Sequence, residues 1–98
     1  MNYETKVILA SEEQGITAIV RELLNVGIKA EIAQTGGFTM CAYIELKDEK
    51  YIYANPYGAS IYGAEDYEKD LAVFDEPQNP KTIAGLIWIH LQDQAKTA

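Results

Sequence analysis

The turn Thr35-Gly36-Gly37 constrains this chain most, because it separates two segments in which apolar residues alternate with other residues. The segments Lys29–Gln34 and Phe38–Leu46 flank the turn, a pattern typical of a β-hairpin. A three-residue loop would place Ile32 opposite Met40 and gather the apolar residues of both strands on one face. A two-residue loop would scatter them over both faces. We therefore predict a hairpin with a three-residue loop and one buried face.

An amphipathic helix is predicted before this hairpin. Ser11 and Gln14 have the spacing of a capping box, in which each side chain bonds a backbone N–H at the start of a helix. Apolar residues then recur along one face of the segment Ile16–Leu24. Gly27 is placed to end the helix in a left-handed conformation.

Further strands and a second helix are predicted on either side. The segments Tyr3–Ala10 and Tyr51–Ala54 have the composition of strands. We expect the stretch from residue 59 to residue 77 to be a loop with one short strand near Leu71–Phe74. A last helix should begin at Asn79-Pro80, an N-cap followed by proline in the first turn, and run to about Gln94.

These elements predict an α+β fold in a single domain, residues 1–98. The order β-α-β-β-β-(β)-α favours a two-layer sandwich, in which two helices cover one face of a mostly antiparallel sheet of about four to five strands. A right-handed crossover would make the first two strands parallel. The third strand would then lie between them, antiparallel to both.

Charge and cysteine content limit the partners. Eight basic and fifteen acidic residues give a net charge of −7. This charge disfavours direct binding to nucleic acid or to anionic membranes, and it permits a protein partner with a basic surface. Cys41 is the only cysteine, so no internal disulfide can form. We find no signal peptide and no membrane span, and we expect a cytoplasmic protein of the expressing or host cell.

The chain offers few groups for catalysis. His90, the only histidine, falls near the apolar side of the last helix. Cys41 should lie on the sheet face that the helices do not cover, which disfavours a Cys–His pair. Carboxylates alternate from Asp66 to Asp70, but the glycine and glutamate that complete a calcium loop are missing. We therefore predict no catalytic residue, no metal and no cofactor.

The tyrosines are more informative. Tyr51, Tyr53, Tyr57, Tyr62 and Tyr67 fall within one short stretch that also carries acidic residues. Tyrosine supplies a large contact area with a polar tip, which suits a recognition surface. The alternative is that several of these rings complete a thin core. The predicted binding residues are Tyr57, Tyr62, Glu65, Asp66, Tyr67, Glu68 and Asp70.

The segment Ile19–Ala30, followed by Gln34-Thr35-Gly36-Gly37, resembles short uncharacterised proteins of actinobacteria and their phages. Those proteins have a GI-x-A strand, a TGG hairpin and a later Pro-Gly loop, to which Asn55-Pro56-Tyr57-Gly58 corresponds here. The resemblance extends over residues 17–74 and not to the last helix. It implies an accessory protein of a phage or mobile element, and it carries no known activity.

Two functions are compatible with these patterns. The first is a small acidic protein that binds another protein, as a phage-encoded inhibitor of a host protein would. The alternative is a ligand-binding or enzymatic domain with a Tyr-lined pocket near His90. A homodimer formed through an exposed edge strand is compatible with either function.

Overall fold

The computed structural model describes residues 15–36, 39–63 and 66–97 of the chain. Five strands form one antiparallel sheet in which each strand pairs with the next along the chain. The described elements are α1 (Ile16–Asn25), β1 (Glu31–Gly36), β2 (Thr39–Glu45), β3 (Tyr51–Asn55), β4 (Gly58–Tyr62), β5 (Tyr67–Val73) and α2 (Pro80–Thr97). The predicted α+β class is confirmed.

Both helices pack on the same face of the sheet. α1 lies against β1, β2 and β3, whereas α2 lies against β4 and β5. The largest fully buried side chains come from both layers and are all aliphatic: Ile16, Ile19, Leu23, Ile52, Ile83 and Ile87. Burying each of them contributes about 1.5–3 kcal/mol, so this layer contact is the main source of stability.

The hairpin of β1 and β2 forms, but the predicted register is wrong by two residues. Ile32 pairs with Ala42 and Gln34 pairs with Met40, and the register shifts between Gln34 and Gly36. A slip of two residues leaves every side chain on its original face. Met40, Ala42 and Ile44 are therefore buried on the helix side, as the alternation predicts.

The strands β4 and β5 correct the prediction that residues 59–77 are mostly loop. β3 turns into β4 through Pro56 and Tyr57, and the Asn55 side chain accepts a hydrogen bond of 2.7 Å from the Tyr57 N–H. β5 begins at Tyr67, before the predicted Leu71. Two register shifts in its pairing with β4 break the regular alternation on which the sequence prediction depended.

The predicted position of the third strand is also wrong. β2 has β1 on one side and β3 on the other, so it does not lie between the first two predicted strands. The strand predicted over Tyr3–Ala10 and the capping box of Ser11 and Gln14 lie outside the described residues.

The predicted end of α1 and the predicted start of α2 are confirmed. Gly27 follows α1 with φ of 81°, the left-handed conformation expected of it. Asn79 caps α2, since its side chain accepts a hydrogen bond of 2.8 Å from the Lys81 N–H. α2 runs to Thr97, slightly beyond the predicted end at Gln94.

Candidate binding surface

Five tyrosines lie on the sheet face opposite the helices, and we call this surface the tyrosine face. Its members are Tyr43, Tyr51, Tyr53, Tyr62 and Tyr67. The register explains why they meet: residues that are directly paired on neighbouring strands point to the same side of a sheet. Their inward-pointing neighbours Ile44, Ile52 and Ile61 are buried in the core with the helices.

Pairing across the strands arranges this face in two rows. One row runs through Glu45, Tyr51, Tyr62 and Tyr67, each paired with the next. The other row crosses all five strands in the order Glu31, Tyr43, Tyr53, Ser60 and Asp70. The second row therefore has a carboxylate on each edge strand and aromatic rings between them.

The rings contact one another continuously along the face. Tyr51 and Tyr62 stack with an interplanar angle of 6° and centroids 5.6 Å apart. Tyr51 and Tyr53 pack edge to face, with ring centroids 4.9 Å apart. Tyr62 and Tyr67 also pack edge to face, with ring centroids 5.8 Å apart, and Tyr67 ends the series. Such pairs contribute about 0.5–1.5 kcal/mol beyond their buried area, so the rings hold one another in place.

This mutual packing leaves the rings of the tyrosine face half-buried, although polar side chains would ordinarily lie on such a face. Loss of hydration, followed by the proximity of Tyr51, raises the pKa of Tyr53. Tyr67, at the end of the series, keeps 49% of its surface exposed. The face therefore presents ring surface that is fixed in position before any partner arrives.

Cys41 lies on the same face of β2, two residues from Tyr43. Burial raises the pKa of its thiol to about 12, so the sulfur is protonated at neutral pH. A thiol in that state is a poor nucleophile. Cys41 therefore contributes small apolar volume beside Tyr53, and the face has no activated sulfur.

The charges on the tyrosine face are negative. Glu31 and Glu45 are exposed on the side of β1 and β2, and Asp70 is exposed on the side of β5. Lys69 is the only basic residue within the five strands, and it pairs with Ile61, whose side chain points into the core. A partner on this face would thus meet carboxylates at both sides of the rings.

Hydrogen bonds hold the Asp70 end of the row that crosses all five strands. The Ser60 hydroxyl donates a bond of 2.6 Å to the Asp70 carboxylate. Loss of hydration, followed by the charge and hydrogen bond of Asp70, raises the pKa of the Tyr67 phenol. A carboxylate has about four lone-pair directions, so Asp70 retains acceptor capacity for an incoming donor.

The predicted binding residues divide into those on the tyrosine face and those elsewhere. Tyr62, Tyr67 and Asp70 lie on it. Tyr57 is exposed in the turn between β3 and β4 and joins none of the described ring contacts. The Asp66 side chain accepts a bond of 2.7 Å from the Tyr67 N–H.

Glu68, another predicted position, stands apart from the rings. Glu68 forms an ion pair of 3.4 Å with Lys50 at the end of the sheet. Both side chains are substantially exposed, so the pair contributes little to stability. Glu65 lies outside the described residues.

Sequence reasoning did not assign Tyr43, Tyr51, Tyr53 or Ser60 to the site. Tyr51 and Tyr53 belong to the crowded stretch, but Tyr43 lies well before it along the chain. The signal that could have found them is alternation. Tyr43, Tyr51 and Tyr53 each neighbour a buried aliphatic residue and so must point to the other side of the sheet.

The pocket predicted near His90 is lined by other residues than the tyrosines expected there. A cleft of about 1010 Å³ lies beside His90 on α2, and Tyr43 is the single tyrosine among its described lining residues. Loss of hydration, and then the charge of Lys69, lower the pKa of His90, while Asp93 opposes them. The cleft is thus not Tyr-lined. Cys41 and His90 lie on opposite sides of the sheet and form no pair.

Within the described ranges, no group of three or more His, Cys, Asp or Glu side chains is arranged to hold a metal ion. None of the helices described is long and apolar enough to cross a membrane. Comparison with protein-family models, with curated proteins and with solved structures found no match to this chain. The resemblance to proteins of actinobacteria and their phages therefore stays a prediction.

Proposed function

We propose that this chain is a small acidic binding protein and that the tyrosine face is its contact surface for a protein with a basic surface. The observation that carries the proposal is the continuous series of ring contacts from Tyr43 to Tyr67 across four strands. Tyrosine is enriched among the residues that dominate protein interfaces, where it gains contact area with little loss of conformational entropy.

The charges favour a basic partner. Carboxylates border the rings on both sides, and the net charge of the chain is −7. Complementary charge speeds association and excludes wrong partners, whereas the energy of binding comes mainly from the buried rings. The same carboxylates would repel the phosphates of a nucleic acid, although aromatic rings can stack on bases.

The resemblance to phage proteins adds a biological role to this proposal. A protein that covers a basic surface of a host protein acts as an inhibitor by excluding that protein's ordinary ligand. Inhibition of a host protein by occupation of a basic surface is therefore the role that we propose. It needs no catalytic residue in this chain.

The experiment compares two tyrosine variants. The tagged protein is used to isolate a partner from its natural host, and affinity for the purified partner is then measured with Tyr62→Ala and Tyr57→Ala. Tyr62 contacts three other rings, whereas Tyr57 is an exposed tyrosine outside the cluster. We expect Tyr62→Ala to weaken binding about thirtyfold, equivalent to about 2 kcal/mol, and Tyr57→Ala to bind like the parent.

Circular dichroism of both variants serves as the control for folding. A native spectrum with unchanged affinity in Tyr62→Ala would contradict the proposal, as would a loss of affinity confined to Tyr57→Ala. Raising the ionic strength should slow association more than it speeds dissociation, because exposed carboxylates attract a basic partner mainly during its approach.

A further inference from the structure

The row that crosses all five strands limits the chemistry of the partner more narrowly than charge alone. Glu31 on β1 and Asp70 on β5 are its two ends, and Tyr43 and Tyr53 lie between them. Neighbouring strands are about 4.8 Å apart, so the backbone positions of the two carboxylates are separated by about 19 Å. The Glu31 side chain is exposed, and its carboxylate forms no hydrogen bond or ion pair with the described residues.

An extended chain advances about 3.3 Å per residue, and its side chains alternate between two sides. A span of about 19 Å therefore corresponds to about six residues. An even separation also directs the first and last side chains to the same side of the bound segment. The row thus fits an extended segment that runs across the strands and carries a cation at positions i and i+6.

We infer that the tyrosine face binds an extended segment of its protein partner with two arginines six residues apart, one at Glu31 and one at Asp70. This inference rests on the proposed function and names the ligand of the same surface. Arginine fits better than lysine because its planar guanidinium both stacks on aromatic rings and donates two parallel hydrogen bonds to a carboxylate.

Charge excludes the other occupants that a flat aromatic face could take. A second copy of the chain would bring carboxylates against carboxylates on this face. A single-stranded nucleic acid would place its phosphates beside Glu31 and Asp70, with no basic residue of the strands facing them. The basic segment alone satisfies both the rings and the acids.

The experiment uses two blocked peptides of identical composition and charge. One is Arg-Ser-Leu-Ser-Leu-Ser-Arg, with arginines at i and i+6, and the other is Arg-Ser-Arg-Ser-Leu-Ser-Leu, with arginines at i and i+2. Affinity for the whole protein is measured by NMR titration. We expect the first peptide to bind about five- to tenfold more tightly, because only it reaches both carboxylates, and to shift the amide signals of Tyr43 and Tyr53.

Two variants test the two ends of the row, and a third serves as the control. Glu31→Gln and Asp70→Asn should each reduce the affinity of the long-spaced peptide to that of the short-spaced one. Glu76→Gln removes the same charge from an exposed position outside the sheet and should leave that difference intact. A lysine version of the long-spaced peptide should bind more weakly than the arginine version.

Equal affinity of the two peptides would overturn the inference, as would tighter binding of oligothymidylate than of either peptide. These outcomes are separate from failure of the proposed function. If the two peptides bind equally well but Tyr62→Ala still weakens the affinity for the partner, the tyrosine face remains a binding surface with a different ligand. If the partner's affinity is unchanged by Tyr62→Ala, the proposed function itself is contradicted.

Discussion

The rings of Tyr51 and Tyr62 stack across β3 and β4, with an interplanar angle of 6° and centroids 5.6 Å apart. Each ring also contacts Tyr53, so a change in one of them loosens the other two. The stack lies on the face opposite the hydrophobic core. It thus stabilises a surface available for recognition.

The stack predicts a measurable coupling between these two tyrosines. In a double-mutant cycle on the free energy of unfolding, Tyr51→Leu and Tyr62→Leu should be non-additive by about 0.5–1.5 kcal/mol. The same cycle with Tyr57→Leu in place of Tyr62→Leu should be additive, since Tyr57 is outside the ring contacts. Additivity of the Tyr51 and Tyr62 changes would mean that the rings do not stabilise each other in solution.

The backbone around Gly58 leaves no room for a side chain at that position. Its φ is 147°, and a Cβ built there would lie 2.1 Å from the Ala72 carbonyl oxygen. Since that oxygen belongs to the backbone of β5, relief requires the two strands to separate. We expect Gly58→Ala to lower the free energy of unfolding by about 2 kcal/mol or more, measured by chemical denaturation.

Gly85 provides the matched control for that substitution. It lies within α2, and a Cβ there would meet nothing within 4 Å. Gly85→Ala should therefore raise the free energy of unfolding by about 0.5–1 kcal/mol, because alanine favours the helix. Equal effects of the two substitutions would contradict the close approach of β4 to β5.

Cys41 should be unreactive in the folded protein. Burial raises the pKa of its thiol from 9.0 to about 12, so almost no thiolate exists at pH 8. A thiol reagent at that pH should label the denatured chain rapidly and the native chain only at the rate of unfolding. Rapid labelling of the native protein would show that the tyrosine face does not cover this sulfur.

The raised pKa of the Cys41 thiol also determines how the stability of the protein changes at alkaline pH. The folded-state value is above the unfolded value, so the folded protein keeps a proton that the unfolded chain has lost. Stability should fall as the pH rises from 9 toward 12. Cys41→Ser should reduce this loss, although tyrosine titration contributes in the same range and must be followed in parallel by absorbance.

His90 predicts a loss of stability on acidification. Loss of hydration and the charge of Lys69 hold its pKa below the usual 6.5, so the unfolded chain takes up a proton before the folded protein does. The free energy of unfolding should therefore decrease as the pH falls below 6.5. In His90→Gln the decrease should be smaller between pH 6.5 and 5.5, above the range where most carboxylates titrate.

Local sequence determined the elements whose signals are contained in a few neighbouring residues. The apolar stripe of α1 and its end at Gly27 follow from helical periodicity and from the freedom of glycine at positive φ. The start of α2 follows from the cap and the proline at Asn79-Pro80. The alternation in β2 fixed which side chains are buried even though the register was wrong, because a slip of two residues preserves the faces.

Only the tertiary structure decided where the strands lie beside one another, and this placement created the tyrosine face. Tyr43 is separated from Tyr62 along the chain, and Glu31 is separated further from Asp70. The sequence showed aromatic crowding from Tyr51 to Tyr67, but two register shifts in the pairing of β4 and β5 obscured their alternation. Each strand's side chains are set locally, whereas the neighbours that they meet depend on pairing over the whole sheet. The long row of Glu31, Tyr43, Tyr53, Ser60 and Asp70 thus arises from long-range pairing that no local pattern specifies.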